Sequence, residues 1–464
     1  MRDRVKLVHF VGIGGAGMSG IAEVLLNLGY QVSGSDTQDS TVTRHLQSLG
    51  ARVHHGHHAD VVAGTDVIVV STAIAVDNPE VLAATKLRIP VVRRAEMLGE
   101  LMRFQKGIAI AGTHGKTTTT SLVASVLAQG GLDPTIVVGG LVHSIDSHAR
   151  LGSGDYLVAE ADESDGSFVH LFPQIAVVTN IDRDHMASYG GDFERLKQAF
   201  MQFLHNLPFY GLAVLCVDDP VLAALASKIR KPILTYGTCA HADIVVSDIH
   251  QQGWHTQFSV QRAGKPKLSL QLPMPGRHNV LNAVAAVAVA DTLGIADTAI
   301  TEALVGFEGI DRRFQLRGEI HLALGTVLWV DDYAHHPSEL AATLQAARDS
   351  WPQQRRVILF QPHRYSRTRD LLDDFSLVLA QETPLLITEV YPAGESPLQG
   401  ADGRALCRAI RARGQVEPVF VDKLEQAPAL LRALLQPDDV LLTLGAGNIA
   451  SVGVALQHSG EAPL

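Results

Sequence analysis

The stretch Gly107-Ile-Ala-Ile-Ala-Gly-Thr-His-Gly-Lys-Thr-Thr-Thr-Thr120 constrains this chain more than any other. A short apolar run passes through a glycine-punctuated turn into residues that suit a helix, Thr118 to Gln129, and a strand, loop and helix in that order call for a parallel strand beside the first. Gly112 and Gly115 let backbone amides face an anion, Lys116 adds a compact positive charge, and Thr117 offers a hydroxyl at the helix N-terminus. The loop is shorter than the strict eight-residue pattern, because Ile110 stands where its first glycine would be. Gly112, Thr113, His114, Gly115, Lys116, Thr117 and Thr118 are thus a candidate cradle for a nucleotide phosphate. A turn that used glycine for geometry alone would leave the lysine and the four threonines unexplained.

A second glycine loop lies near the start. The apolar run Val5 to Val11 leads into Gly12-Ile-Gly-Gly-Ala-Gly17, a helical pattern from Met18 to Leu28, a strand Tyr30 to Ser33, and Asp36, nineteen residues beyond Gly17. In this dinucleotide fingerprint a pyrophosphate sits on the helix N-terminus and the carboxylate accepts a ribose hydroxyl. Spacing alone favours a nicotinamide cofactor. The physics specifies only a diphosphate beside a ribose, which a UDP-sugar also has, and the bland alternative is glycine for close helix-to-strand packing.

The same alternation continues through the chain: strand Val67 to Ser71, helix Pro79 to Lys86, then strands Tyr156 to Glu160, Ile175 to Thr179 and Leu212 to Val217. From Ile244 to Leu272 the period changes to two, with Gly253 and Gly264 as turns, which predicts an antiparallel patch. A helix follows over His278 to Leu293. Beyond Asp311 come strand Val327 to Asp331, helix Pro337 to Ser350, strand Val357 to Gln361, helix Thr368 to Ala380, and strands Leu385 to Thr388 and Val440 to Leu444. The expected class is α/β with three domains, each a mainly parallel sheet flanked by helices, and 464 residues are enough for three cores. Boundaries fall near residues 104 and 311, giving domains of 1–104, 105–310 and 311–464.

With 46% apolar and 19% charged residues the composition is that of a soluble globular protein, and a formal charge of -10 argues against a large nucleic-acid surface. Cys216, Cys239 and Cys407 are scattered and odd in number, which suits a reduced cytoplasm. The first apolar segment is interrupted by glycines before a membrane span would be complete, so neither membrane insertion nor export is expected.

Glu160-Ala-Asp-Glu-Ser-Asp165 ends a predicted strand, the edge where open parallel sheets hold ligands. Glu160 and the Thr117 hydroxyl, with phosphate oxygens, make a sensible shell for magnesium. Asp162, Glu163 and Asp165 read as a solvated acidic loop. Asn180-Ile-Asp-Arg-Asp-His185 ends the next strand, and His185 reads equally as structural or functional, since nitrogen is an unusual magnesium ligand.

Together with Gly276-Arg-His-Asn-Val-Leu-Asn282, Asp184-His-Met186, Arg312-Arg-Phe314, Asp331-Asp-Tyr-Ala-His-His-Pro337 and Phe360-Gln-Pro-His-Arg-Tyr-Ser-Arg-Thr-Arg369, these loops resemble the Mur ligases over nearly the whole chain, and within them the alanine-adding branch. The resemblance implies an N-terminal domain for a UDP-sugar, a central ATPase and a C-terminal dinucleotide-like fold that receives the amino acid. It implies an ATP-dependent ligase that joins L-alanine to the carboxylate of UDP-N-acetylmuramate through an acyl phosphate, for cell-wall precursor synthesis, acting as a monomer or weak homodimer. Gly14, Gly15, Ala16, Gly17, Asp36 and Ser71 become a uridine-diphosphate site. Glu160 and His185 become magnesium ligands beside Thr117; Asn279 and Asn282 meet the adenine; Arg313 contacts phosphate, and Asp332 the ATP ribose. Tyr333, His335, Arg364 and Arg367 stand near the incoming alanine, the arginines gripping its carboxylate. Lys116, His185, Arg313 and His335 are the catalytic set, with His335 the candidate base for the amine or a solvent-facing structural histidine. Where sister ligases carry a carbamylated lysine this chain has Phe200, with Lys197 a turn earlier, so carbamylation is not expected. The alternatives are a recycling ligase that attaches a tripeptide and, in another class, a nicotinamide-dependent oxidoreductase.

Overall fold

The computed structural model describes residues 1, 4–71, 73–142, 147–322 and 325–458. Among them, three sheets make a three-domain α/β architecture, as the alternation predicts. The first sheet contains β1 (Leu7–Val11), β2 (Gln31–Asp36), β3 (Arg52–His55), β4 (Val67–Val70) and β5 (Val91–Arg93), in the order β3-β2-β1-β4-β5 and parallel throughout. The second contains β6 (Lys106–Ala111), β7 (Thr135–Val142), β8 (Ser147–Arg150), β9 (Tyr156–Glu160), β10 (Ile175–Val178), β11 (Leu212–Cys216), β12 (Ile233–Gly237), β13 (Ile244–Gln252), β14 (His255–Arg262) and β15 (Leu268–Leu272). Its order is β15-β14-β13-β12-β11-β10-β6-β9-β7-β8. The third contains β16 (Gln315–Leu322), β17 (Gly325–Asp332), β18 (Arg356–Phe360), β19 (Leu385–Thr388), β20 (Val419–Val421) and β21 (Val440–Leu444), in the order β16-β17-β21-β18-β19-β20.

The central strands are buried on both faces, which is why β10 (Ile-Ala-Val-Val) and β21 (Val-Leu-Leu-Thr-Leu) are almost continuously apolar. In β18 the period of two still shows in the packing: Ile358 and Phe360 join the core of Phe375 and Leu406, whereas Val357 and Leu359 join that of Trp329 and Leu431. The β13–β14 turn of Gly253 and Trp254 is too short for a crossover, so this pair is antiparallel, as the alternation from Ile244 predicts.

Three expectations are corrected. The helix expected over Thr368 to Ala380 is two helices, Tyr365–Asp370 and Leu372–Leu379, broken at Leu371, whose ψ of 22° is not helical. The third sheet opens with β16, an antiparallel edge that bonds back to β17, where the sequence reading began with β17. Glu163, read as part of a solvated loop, is 1% exposed.

The chain forms two compact units, one of residues 1–249, 258–273 and 279–310, the other of 250–257, 274–278 and 311–464.

Candidate active site

In the second sheet β6 lies between β10 and β9, parallel to both, so the chain departs to opposite sides of β6. That is a switch point, and open parallel sheets bind ligands at the C-terminal edge of such a point. The register sets Ile110 beside Glu160 and Ala111 beside Val178, so the phosphate loop, Glu160 and the Asn180–His185 turn share one edge.

The phosphate loop is tied from below. Asn180 O accepts from Thr113 N at 3.1 Å and Asn180 Oδ1 from His114 N at 2.8 Å, while Thr179 Oγ1 donates to His114 O at 2.7 Å. Gly112 has φ 131°, and a Cβ there would lie 2.1 Å from Thr179 Oγ1, so only glycine fits. Two loop amides are therefore held by Asn180, and an anion is left the first-turn amides of the helix Lys116–Gln129, which have no intrahelical acceptor. His114 Nε2 lies 3.0 Å from Asp182 Oδ2, and Thr118 is buried in the first turn.

Lys116 Nζ donates to Gly112 O at 2.8 Å, Thr113 O at 3.1 Å and Glu163 Oε1 at 3.0 Å. Burial opposes its charge, but the carboxylates of Glu163, Asp162 and Glu160 outweigh it and hold its pKa above the ordinary lysine value. Burial lifts the Glu163 carboxyl, in spite of Lys116, to about 7. Thr117 Oγ1 donates to Glu160 Oε2 at 3.0 Å, so a hydroxyl and a carboxylate converge as hard oxygen donors. His185 has φ 54°, a left-handed conformation that costs a non-glycine residue strain, and its Nε2 lies 3.5 Å from Asp184 Oδ2. Asn282 stands beside the loop: a Cβ on Gly115 would be 2.6 Å from Asn282 Oδ1. Asn279 and Asn282 are both buried, with Asn282 Nδ2 3.5 Å from Asn279 Oδ1. Lys197 pairs with Glu194 on the surface, and Phe200 is buried edge-on against Phe168.

In the first sheet β1 lies between β2 and β4, a second switch point. The glycine loop leaves β1, and Ser35 O accepts from Gly12 N at 2.8 Å and Ile13 N at 2.9 Å. Asp36 Oδ2 accepts from Gly14 N at 2.8 Å and Oδ1 from Gln38 N at 3.0 Å. Asp36 thus braces the loop as well as facing the edge. Gly15 caps the helix Ala16–Asn27, in which Gly17 lies in the first turn against Arg94; the Ala16 side chain is outside the described residues. Ser71 follows β4, half-buried, its carbonyl accepting from Ile74 N.

In the second unit the turn before β16 and the end of β17 interlock. Arg312 donates to Asp331 Oδ2, Gly445 O and Gly447 O, a structural role, and the Arg312 and Arg313 guanidiniums lie 5.2 and 5.0 Å from the Tyr333 ring centroid. Asp332 accepts from Phe314 N and Ala334 N, both at 2.6 Å, and burial raises its pKa to about 7 against the pull of Arg313. His335 Nδ1 lies 2.9 Å from Tyr333 O and 3.3 Å from Glu339 Oε2. A carbonyl only accepts, so in the neutral ring Nδ1 carries the hydrogen and Nε2 is the basic nitrogen. The His335 ring meets His363 at 5.6 Å, and His363 stacks on Tyr391 at 5.5 Å. Arg367 Nη1 lies 3.3 Å from His363 O, and exposed Arg364 has φ 69°.

Sequence reasoning gave no functional role to Asn180, Asp182, His363 or Tyr391, and read Glu163 as part of a solvated loop. All but Tyr391 sit inside or beside quoted motifs, and what hid their roles is distance along the chain: Glu163 meets Lys116 from 47 residues away. No helix among the described residues is long and apolar enough to cross a membrane.

Family models match three consecutive stretches: Mur ligase family, catalytic domain, over residues 7–106; Mur ligase middle domain over 110–290; and Mur ligase, glutamate ligase domain, over 312–447. Among solved structures the chain is similar to UDP-N-acetylmuramate-alanine ligase MurC from Thermotoga maritima, with 31% identity, 98% of this chain and 99% of that one covered, and a TM-score of 0.80. It is also similar to UDP-N-acetylmuramate:L-alanyl-gamma-D-glutamyl-meso-diaminopimelate ligase from Neisseria meningitides, with 29% identity, 66% and 100% covered, and a TM-score of 0.61. A murein peptide ligase from Psychrobacter arcticus shares the fold at 23% identity, with 99% and 100% covered and a TM-score of 0.70. The glycine loops at two switch points, the lysine-threonine helix start and this agreement along the whole chain lead to one conclusion: the chain belongs to the Mur ligase family, whose members are ATP-dependent ligases that form amide bonds.

Proposed function

We propose that the protein joins L-alanine to the carboxylate of UDP-N-acetylmuramate, converting ATP to ADP and phosphate, as a cytoplasmic step of cell-wall precursor synthesis. The reading is supported most by the 31% identity over 98% of the chain to a protein named for that reaction. Residues 1–104 take the sugar nucleotide through Gly14, Gly15, Ala16, Gly17, Asp36 and Ser71. Residues 105–310 take ATP through the phosphate loop, Asn279 and Asn282, and residues 311–464 take the amino acid.

The sugar carboxylate attacks the γ-phosphorus, ADP leaves, and the acyl phosphate so formed is attacked by the alanine amine, which expels phosphate and leaves the amide. Two anions must approach each other in the first step. Lys116 and Arg313 offset that repulsion and hold the phosphate in line. The converging oxygens of Thr117 and Glu160 suit magnesium, with His185 as a further ligand; the bound ion would neutralise phosphate oxygens. His335, its Nδ1 fixed by Tyr333 O, presents Nε2 to take the proton of the amine. Arg364 and Arg367 grip the alanine carboxylate, and Asp332 braces the turn that carries Arg313 besides serving the ribose.

The test is phosphate release with ATP, UDP-N-acetylmuramate and either L-alanine or the tripeptide of the recycling ligases. Release is expected only with all three alanine-reaction substrates, and Lys116→Ala should lower kcat by roughly 100-fold or more, the scale of a lost transition-state clamp. Turnover with tripeptide and none with alanine would move the protein to the other branch. Near-normal turnover of the lysine variant would sink the phosphate-loop assignment.

A further inference from the structure

Under the first glycine loop lies a buried polar cluster that no step above uses. Glu80 and His9 are each 0% exposed; on the helix Pro79–Leu87 the flanking Pro79 and Leu82 are exposed, so Glu80 is turned inward where its neighbours are not. Four donors converge on the Glu80 carboxylate. His9 Nε2 reaches Oε2 at 3.1 Å and Ser35 Oγ the same oxygen at 2.8 Å; His58 N reaches Oε1 at 3.1 Å and His57 Nδ1 at 3.3 Å. The remaining His9 nitrogen lies 2.9 Å from Ser33 Oγ, and His57 Nδ1 lies 2.9 Å from Ser35 Oγ. Burial works against ionisation here, but the hydrogen bonds from His9 and Ser35 outweigh it and leave the Glu80 pKa below the ordinary value. The first turn of the helix, opened by Asn78, also favours a negative charge.

What the cluster touches gives it meaning. Ser35 donates its hydroxyl to Glu80, while its carbonyl holds the amides of Gly12 and Ile13. The next residue, Asp36, holds Gly14 N through its carboxylate and Gly56 N through its carbonyl at 2.7 Å. The glycine loop and the His55–His58 turn therefore both rest on the Ser35–Asp36 corner, and that corner and the turn both rest on Glu80. We propose that Glu80 is a positioning residue for the sugar-nucleotide site, its buried carboxylate fixing the Ser35–Asp36 corner and the His57–His58 turn that border the site; this rests on the reading of the first domain as the UDP-sugar binder.

Glu80→Gln tests the proposal with little change of shape. The four groups facing the side chain are all donors, and the backbone amide of His58 cannot reverse, so the new amide nitrogen must face His9 and Ser35. Ser35 then turns its hydroxyl away, which leaves the fold a way to accommodate the variant while the corner shifts. Titration calorimetry with UDP and, separately, with ADP reads the two nucleotide sites independently. Glu80→Gln is expected to weaken UDP at least tenfold with ADP affinity within twofold of the parent, and Ser35→Ala to weaken UDP at least threefold. The double variant should be no weaker than Glu80→Gln by more than twofold, because the two act as one unit. In turnover, the KM for UDP-N-acetylmuramate should rise while the KM for ATP stays. UDP affinity within twofold of the parent in both single variants, or UDP and ADP affinity falling in parallel, overturns the proposal. If Glu80→Gln does not fold, Ser35→Ala alone decides it on the same threefold criterion. A parent protein that binds NAD and not UDP instead overturns the sugar-nucleotide reading itself, a result distinct from an unchanged variant.

Discussion

The Asp332 carboxylate sits at the end of β17 with one backbone amide on each oxygen, and burial still lifts its pKa to about 7. Unfolded, the same carboxyl titrates near its ordinary value of 3.8. Between about pH 4 and pH 7 the folded chain therefore binds a proton that the unfolded chain has released, so this residue makes stability fall as pH rises through that window, by at most about 1.4 kcal/mol per unit. Asp332→Asn cannot ionise. Urea midpoints measured from pH 4.5 to 7 should lose part of their downward slope in the variant, and an identical slope in both proteins would show that Asp332 titrates normally. Backbone strain also lies beside this carboxylate: Arg312 and Phe314 have φ of 56° and 48°, conformations that non-glycine residues keep only where neighbours over-determine them.

At the scale of elements, the tip of the β13–β14 hairpin shows how one such turn is held. Trp254 packs its ring 5.5 Å from Phe314 and 6.0 Å from Trp351, Phe314 stacks on Trp351 at 6.1 Å, and Gln251 Nε2 donates to Ala346 O and Ser350 Oγ. Trp254→Ala removes a half-buried ring, a loss of about 2 kcal/mol, below the cost of a fully buried one. The second unit's melting transition should fall by roughly 4–8 °C, and an unmoved transition would show that the cluster carries no stability. The hairpin itself was legible, because Ile244 to Leu272 alternates with period two and Gly253 marks its turn. Strands β1, β4, β10, β11 and β21 and both glycine loops were legible for a similar reason: four or five apolar residues bounded by glycine or acid are a local signal. β16, β20 and the helix Gly403–Ala412 were missed, since an edge strand such as Gln-Leu-Arg-Gly-Glu-Ile-His-Leu is half solvated and shows no apolar run. The break at Leu371 was missed because its neighbours all suit a helix. Least legible was burial of charge. Glu163 and Glu80 look like surface acids in sequence, and only the fold brings them to buried partners 47 and 71 residues away.

For the whole molecule, the distribution of tryptophan between the two compact units offers a measurement. The chain has three tryptophans, and Trp254, Trp329 and Trp351 all belong to the second unit. Tryptophan emission therefore reports that unit alone, while far-ultraviolet circular dichroism reports the helices of both. A ligand that binds only one folded unit stabilises that unit by RT ln(1 + [L]/Kd), about 2.7 kcal/mol at a hundredfold excess over Kd. If UDP binds at the Gly12–Gly17 loop, it acts on the unit that contains no tryptophan. On heating, the dichroism signal should then contain a transition that moves up by several degrees with UDP, while the tryptophan midpoint stays where it is. A tryptophan midpoint that climbs with UDP in step with the dichroism would mean that the two units melt as one cooperative body, with the sugar-nucleotide domain stabilising the amino-acid domain through the shared chain. The unmoved midpoint is the expected result, because the hydrogen bonds that hold the glycine loop to Ser35, to Asp36 and through them to Glu80 lie within the first unit.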